Sequence, residues 1–152
     1  MNSVFRLDAT TSIWTEVSPL PVASMIWRPA RLGRISMSSG GGRTRGDDKT
    51  AETYCYDTEV DKWTSLEPMP EPCYGHTSVV LGGLIYVLGG FVDVYRLEPV
   101  VSGSWSTIAP VPTQRFKCTP FVLARHINVA GGMVPGESGR CRTVTSVERY
   151  DK

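Results

Sequence analysis

Three stretches of the chain align with one another without a gap: Trp14-Thr15-Glu16-Val17-Ser18-Pro19-Leu20-Pro21, Trp63-Thr64-Ser65-Leu66-Glu67-Pro68-Met69-Pro70 and Trp105-Ser106-Thr107-Ile108-Ala109-Pro110-Val111-Pro112. Each reads tryptophan, hydroxyl residue, any residue, aliphatic residue, any residue, proline, apolar residue, proline. A Gly-Gly pair begins 26 positions after each tryptophan, at Gly40, Gly89 and Gly131. One such match can arise by chance, but three in one register indicate an internal repeat.

The repeat length suggests two architectures, and the prolines and glycines within each unit exclude one of them. The tryptophans are 49 and then 42 residues apart, a period typical of propeller blades or of short helical arrays. Each unit contains a proline pair and a glycine pair, which leave no room for two helices of about 12 residues. Apolar runs at 77–81 and 84–88 flank Gly82-Gly83, and two glycines supply the positive φ angles of a tight hairpin. We therefore predict four short antiparallel strands in each unit.

These features resemble the kelch repeat, the four-stranded blade of a β-propeller. The resemblance lies in the Gly-Gly pair closing strand two, Tyr56-Asp57 on strand three and the tryptophan on strand four, and residues 73–90 match it best. It implies an all-β fold, a kelch-type β-propeller segment of about three four-stranded blades in an incomplete ring. We expect the end of a blade at 1–21, blades at 22–70 and 71–112, and an incomplete blade at 113–152.

The number of predicted strands indicates that the chain supplies only part of a propeller. In this register the chain supplies 13 strands, whereas a six-bladed propeller needs about 24. We expect a fragment, a short isoform or a part that other copies complete, and we expect its open blade edges to self-associate.

The arginine that the family places ten residues after the tryptophan is present only as Arg115, where the other units have Ser24 and Cys73.

The net charge limits the classes of binding partner, and the cysteine content bears on the cellular compartment. There are 16 Lys and Arg against 15 Asp and Glu, a net charge of +1, so no broad field favours nucleic acid or a membrane surface. No apolar run approaches the roughly 20 residues of a membrane span, and the N-terminus does not read as a signal peptide. The four cysteines form no CxxC pair, which argues against zinc; without a secretory signal, free thiols are favoured over disulfides. We expect a cytoplasmic protein.

Loop lengths predict which face of the blades binds a partner. The turns between strands one and two are two residues long, whereas the loops between strands two and three are long and polar, at 42–49 and 133–143. Together with the loops from strand four to the next strand one, these form one face. Its arginines suit the carboxylates of an acidic peptide. The predicted partner-binding residues are Arg43, Arg45, Tyr74, Arg115, Arg140 and Arg142. The alternative is that these are solvated loop charges, partly neutralised by nearby acidic residues.

Enzymatic chemistry has little support in the sequence. His76 and His126 are the only histidines, 50 residues apart, and form no metal-ligand motif. Copper radical oxidases use a kelch-like propeller with a Tyr–Cys cross-link, but the tyrosines at 54–56 fit the packing strand of the repeat. Neither a nucleophile elbow nor a phosphate-binding loop is present. We predict no enzyme and no cofactor.

The favoured function is that of a protein-interaction module. The family resemblance implies two settings: the substrate-recognition part of a cullin-based ubiquitin ligase adaptor, which carries a BTB domain elsewhere in the chain, or actin and cytoskeleton binding. A kelch-type oxidase or a sugar-modifying enzyme is the alternative class. Fold analogy alone does not choose the partner.

Overall fold

The fold is built from antiparallel strands throughout. A computed structural model describes residues 2–22, 28–33, 35–42, 49–73, 75–90, 93–98, 103–136 and 140–150. These residues form fifteen strands and contain no helix. The all-β, kelch-type prediction is confirmed, and the ring is not closed.

The strands group into five sheets. The first sheet pairs β1 (Val4–Asp8) with β2 (Ile13–Val17). The second has the order β3 (Arg28–Leu32), β4 (Ile35–Gly42), β5 (Lys49–Asp57), β6 (Lys62–Leu66). The third contains β7 (His76–Leu81), β8 (Leu84–Gly89), β9 (Val94–Leu97) and β10 (Trp105–Ile108), again in sequence order. The fourth contains β11 (Thr119–Leu123), β12 (His126–Ala130) and β15 (Val147–Tyr150), and β13 (Met133–Pro135) with β14 (Cys141–Thr143) forms a separate hairpin.

The hairpin β13–β14 corrects the expected strand count. The sequence predicted 13 strands with an open loop at 133–143, but this loop forms two strands of its own. The amide of Gly136 donates to the oxygen of Arg140 at 3.0 Å, and Met133 pairs with Thr143. Satisfying backbone groups within the loop is more favourable than leaving them open wherever solvent is partly excluded.

The tight turns follow the prediction. Gly82 and Gly83, between β7 and β8, have φ angles of 61° and 78°, as a two-residue hairpin turn of the primed type requires. The corresponding turn between β11 and β12 is Ala124-Arg125, with φ angles of 47° and 64°. Non-glycine residues occupy the left-handed region at this turn, so the packing of the two strands compensates for their strain.

The main core lies between the third and fourth sheets. It is formed by Tyr86, Leu88, Val94, Cys118, Ile127, Val129 and Tyr150, all buried. Strand β7 contacts β3 of the second sheet and β11 and β12 of the fourth sheet. The first sheet, by contrast, exposes large apolar side chains: Phe5, Leu7, Ile13 and Trp14.

A recurring hydrogen bond joins each sheet to the preceding one. The indole Nε1 of Trp63 donates to the backbone oxygen of Ser18 at 2.8 Å, and that of Trp105 donates to the oxygen of Glu67 at 2.9 Å. Ser18 and Glu67 each lie four residues after the tryptophan of the preceding unit. In the fourth sheet the hydroxyl of Tyr150 donates to the oxygen of Ala109, the next residue in that series, at 2.7 Å. Trp63 and Trp105 therefore join neighbouring sheets, whereas Trp14, in the same register, is largely exposed.

Candidate functional site

Two loops meet at one end of the fourth sheet. The segment before β11 and the start of β13 exchange backbone hydrogen bonds: Phe116 N to Met133 O at 3.0 Å and Met133 N to Phe116 O at 2.9 Å. The amide of Val144 donates to the oxygen of Gly132 at 3.0 Å, which ties the end of the long loop to its beginning. Loops that the sequence assigned to one face are therefore in contact in this unit.

Arg115 is the buried centre of this junction. Its side chain is 1% exposed, and its Nη1 donates to the oxygens of Gly131 at 3.0 Å and Ser146 at 3.2 Å. Its Nη2 donates to the hydroxyl of Ser146 at 3.4 Å and forms an ion pair with Glu148. Its Nε is buried and has no hydrogen-bond partner among the described residues. The sequence placed Arg115 on the partner-binding face, but its side chain lies inside and joins the Gly-Gly pair to the start of β15.

A cavity of about 370 Å³ opens beside Arg115. It is lined by Thr113, Arg115, Arg142, Thr143, Val144, Thr145, Ser146 and Glu148. The carboxylate of Glu148 accepts hydrogen bonds from Arg115 and from the amide of Thr113, the latter at 3.1 Å. The lining thus combines two arginines, one engaged carboxylate and four hydroxyls, a composition suited to a polar, anionic ligand.

The predicted site residues divide into three groups, the first of which is the buried Arg115 alone. Arg140 and Arg142 are exposed, the first directly before β14 and the second within it, and Arg142 shares the cavity with Arg115. Arg43, Arg45 and Tyr74 lie outside the described residues. That all six bind a partner stays a prediction.

Sequence reasoning missed the hydroxyl residues and Glu148 as lining residues. Thr143 ends the long loop and Thr145 and Ser146 follow shortly after it, and this density of hydroxyl groups was the available signal. Glu148 gave no signal of its own, because its partner Arg115 lies 33 residues away in the chain.

The third sheet has a cysteine where the fourth has Arg115. The Sγ of Cys73 lies 4.0 Å from the oxygen of Gly89, the first glycine of that unit's pair. Burial raises the pKa of the Cys73 thiol to about 11, so the thiol is neutral at physiological pH. Cys73 therefore brings no charge to the position that Arg115 fills in the next unit.

The two histidines lie in different sheets. His76 is fully buried at the start of β7. His126 begins β12, and its Nδ1 lies 2.8 Å from the oxygen of Ala124 in the adjoining turn. In the part of the chain that the structure describes, His, Cys, Asp and Glu side chains form no group of three that could hold a metal ion. The described residues also include no helix of the length and apolarity that crossing a membrane demands.

Comparison with known proteins agrees with the repeat. Residues 72–112 match the family model described as Kelch motif. Kelch-like protein 23 of Mus musculus is 29% identical over 157 residues, covering 99% of this chain and 28% of that protein. Kelch-like protein 40 of Xenopus tropicalis is 29% identical over 156 residues, covering 96% and 24% respectively.

Beta-scruin of Limulus polyphemus is 29% identical over 167 residues, covering 99% of this chain and 18% of that protein. The chain thus spans between about a fifth and just over a quarter of the length of these relatives. The sheets, the Gly-Gly pairs and the recurring indole hydrogen bonds agree with the Kelch motif at 72–112, and the chain is similar to kelch-repeat proteins over nearly its whole length.

Proposed function

We propose that this chain is a non-enzymatic protein-interaction module that binds an acidic segment of a partner protein through its long-loop face. The observation that carries the proposal is the pairing of exposed Arg142 with a cavity of about 370 Å³ whose walls are fixed by Arg115. Protein and peptide partners are recognised by such exposed arginines because the planar guanidinium can donate two hydrogen bonds to one carboxylate.

The charges on this face support an acidic partner. Arg140, Arg142 and Lys117 are all exposed and lie in the two loop segments that meet beside β11. Among the described residues, the connection at the opposite end of the fourth sheet is the two-residue turn Ala124-Arg125, which offers little surface for docking. A partner is therefore better accommodated at the long-loop end.

The cellular setting follows from the Kelch-like relatives as a proposal. Within a longer protein of that type, the segment would act in the cytoplasm as the substrate-recognition part of a cullin-based ubiquitin ligase adaptor. Co-purification of the full-length protein with a cullin tests this setting. Cytoskeletal binding stays a prediction, tested by co-sedimentation of the same protein with filaments.

Fluorescence anisotropy with a labelled peptide containing four glutamates tests the binding face. We expect Arg140→Ala with Arg142→Ala to weaken binding about tenfold, because two charge-assisted contacts are lost. Arg125→Ala is the matched control, since Arg125 is an exposed arginine at the opposite end of the same sheet. Binding must also weaken as salt rises. Equal affinity of the wild type and the double variant would overturn the proposal, as would an equal loss in the Arg125 variant.

A further inference from the structure

Resting on that proposed function, we propose that the cavity beside Arg115 is a subsite for one carboxylate side chain of the partner. Arg142 supplies the ion pair, and the hydroxyls of Thr143 and Thr145 supply neutral hydrogen bonds. The subsite therefore selects an aspartate or glutamate at one defined position of the bound segment.

The charge balance of the cavity favours a single negative charge. Its lining contains Arg115, Arg142 and Glu148, a sum of +1. Glu148 is already paired with Arg115 and accepts the amide of Thr113. The guanidinium of Arg142, in contrast, has no ion-pair partner among the described residues. A monoanion neutralises this remaining charge, whereas a phosphate carries about −1.5 to −2 and would leave an excess close to Glu148.

The neutral donors fit the same ligand. Thr143 and Thr145 are exposed and line the cavity, and their hydroxyls have no hydrogen-bond partner within the described ranges. A hydroxyl donates to a carboxylate oxygen without adding charge, and such bonds stabilise the ionised form. The cavity volume of about 370 Å³ accommodates a whole acidic side chain, since ligand pockets begin at about 300 Å³.

The wall of the cavity is held in place before any ligand arrives. Arg115 binds the oxygens of Gly131 and Ser146 simultaneously, so the residues at 143–146 are anchored to the end of β12. The buried Nε of Arg115 lacks an acceptor among the described residues, so one donor of this guanidinium is unsatisfied, while the unpaired positive charge of the cavity is that of Arg142. A site that is fixed and positively polarised loses little freedom when an anion binds.

Three small probes test the subsite without a partner protein: N-acetylaspartate amide, its neutral asparagine analogue and N-acetylphosphoserine amide. Each is titrated into the isotope-labelled 152-residue chain, and the backbone NMR signals at 143–146 are followed. We expect saturable shifts with the aspartate probe only, at least fivefold weaker in Arg142→Gln and unchanged in Arg125→Gln. Thr145→Val should weaken binding without moving the signals of the fold elsewhere.

The outcomes separate this proposal from the proposed function. Equal shifts with the asparagine probe, tighter binding of the phosphoserine probe, or unaltered binding in Arg142→Gln would each overturn the carboxylate subsite. If the four-glutamate peptide still binds and depends on Arg140 and Arg142, the binding face stands and only the subsite is wrong. If that peptide also fails to bind, the proposed function is wrong as well.

Discussion

The backbone oxygen of Ser18 accepts the indole N–H of Trp63 at 2.8 Å, across the junction of the first and second sheets. The same serine donates its amide to the Asp61 carboxylate at 2.9 Å and its hydroxyl to the Asp61 backbone oxygen at 2.7 Å. All three bonds join Ser18 to Asp61, which precedes β6, or to Trp63, which lies within β6. Ser18 therefore attaches the first sheet to the second.

Removing the indole N–H of Trp63 should weaken this attachment. Trp63→Phe keeps an aromatic ring beside Tyr56, whose centroid is 4.9 Å from that of Trp63, but leaves the Ser18 oxygen without this donor. We expect a loss of about 1 kcal/mol in the free energy of unfolding, and about 3 kcal/mol for Trp63→Ala, the lower end for a tryptophan because Trp63 is only half-buried. Trp14→Ala is the control, because Trp14 is 64% exposed. Equal shifts of the melting temperature for the variants at 14 and 63 would contradict the structural role of Trp63.

Arg115→Ala should destabilise the fold rather than affect binding alone. The substitution leaves Glu148 without its ion pair and removes the donors to Gly131 and Ser146. Breaking a buried pair costs about 3–5 kcal/mol, and the lower end applies because Glu148 is partly exposed. Arg142→Ala, on the exposed strand β14, should change the unfolding free energy by less than about 0.5 kcal/mol.

Urea unfolding of these variants measures the difference, with a double variant as an internal check. Arg115→Met combined with Glu148→Leu leaves no unpaired charge and should recover part of the loss. Similar destabilisation by Arg115→Ala and Arg142→Ala would mean that the guanidinium of Arg115 is not a structural link.

Acid should weaken the junction at Ser18. Hydrogen bonds from the Tyr56 hydroxyl and the Ser18 amide lower the pKa of Asp61 from its ordinary 3.8. Because the folded pKa is the lower one, this stabilisation is present above about pH 4 and is lost as the pH falls through the folded pKa. Asp61→Asn should flatten the acid limb of a plot of stability against pH. An unchanged acid limb in the variant would show that Asp61 does not contribute to it.

Alkaline pH should also destabilise the junction at Ser18. Burial, with the hydrogen bond to Asp61, raises the pKa of Tyr56 to about 12 from its ordinary 10. A raised folded pKa means that stability is complete below about pH 10 and declines between pH 10 and 12, as the unfolded tyrosine ionises first. Absorbance at the phenolate band, compared between the wild type and Tyr56→Phe, follows this step. The difference between the two titrations reports Tyr56 alone, and a difference band that titrates near pH 10 would contradict the raised pKa.

The apolar face of the first sheet should make the isolated 152-residue chain associate or bind a hydrophobic dye. Phe5, Ile13 and Trp14 are each more than half exposed on one small hairpin. We expect Phe5→Ser with Trp14→Ser to reduce dye fluorescence and the apparent mass in light scattering. A compact wild-type monomer that melts cooperatively above about 60 °C would refute this expectation.

Local sequence patterns predicted the sheets, because strands and tight turns depend on near neighbours. Gly82-Gly83 between two apolar runs is enough to define the hairpin β7–β8, and the tryptophan register defines β10. The burial of Arg115 was not predictable in this way. A charged residue in a loop reads as exposed unless its partner is known, and Glu148 meets it only once the fourth sheet has formed. The hairpin β13–β14 escaped prediction because each of its strands is only three residues long, too short for an alternating pattern to be recognised.

The recurring bond between neighbouring sheets makes the chain modular. Donor and acceptor are 45 residues apart at Trp63, 38 at Trp105 and 41 at Tyr150, yet the bond is the same length within 0.2 Å. Insertions or deletions between the donor and the acceptor therefore lengthen or shorten a surface loop without disturbing the hydrogen bond between the sheets. Loop length, and with it the choice of partner, is free to diversify in one unit while the units on either side keep their alignment.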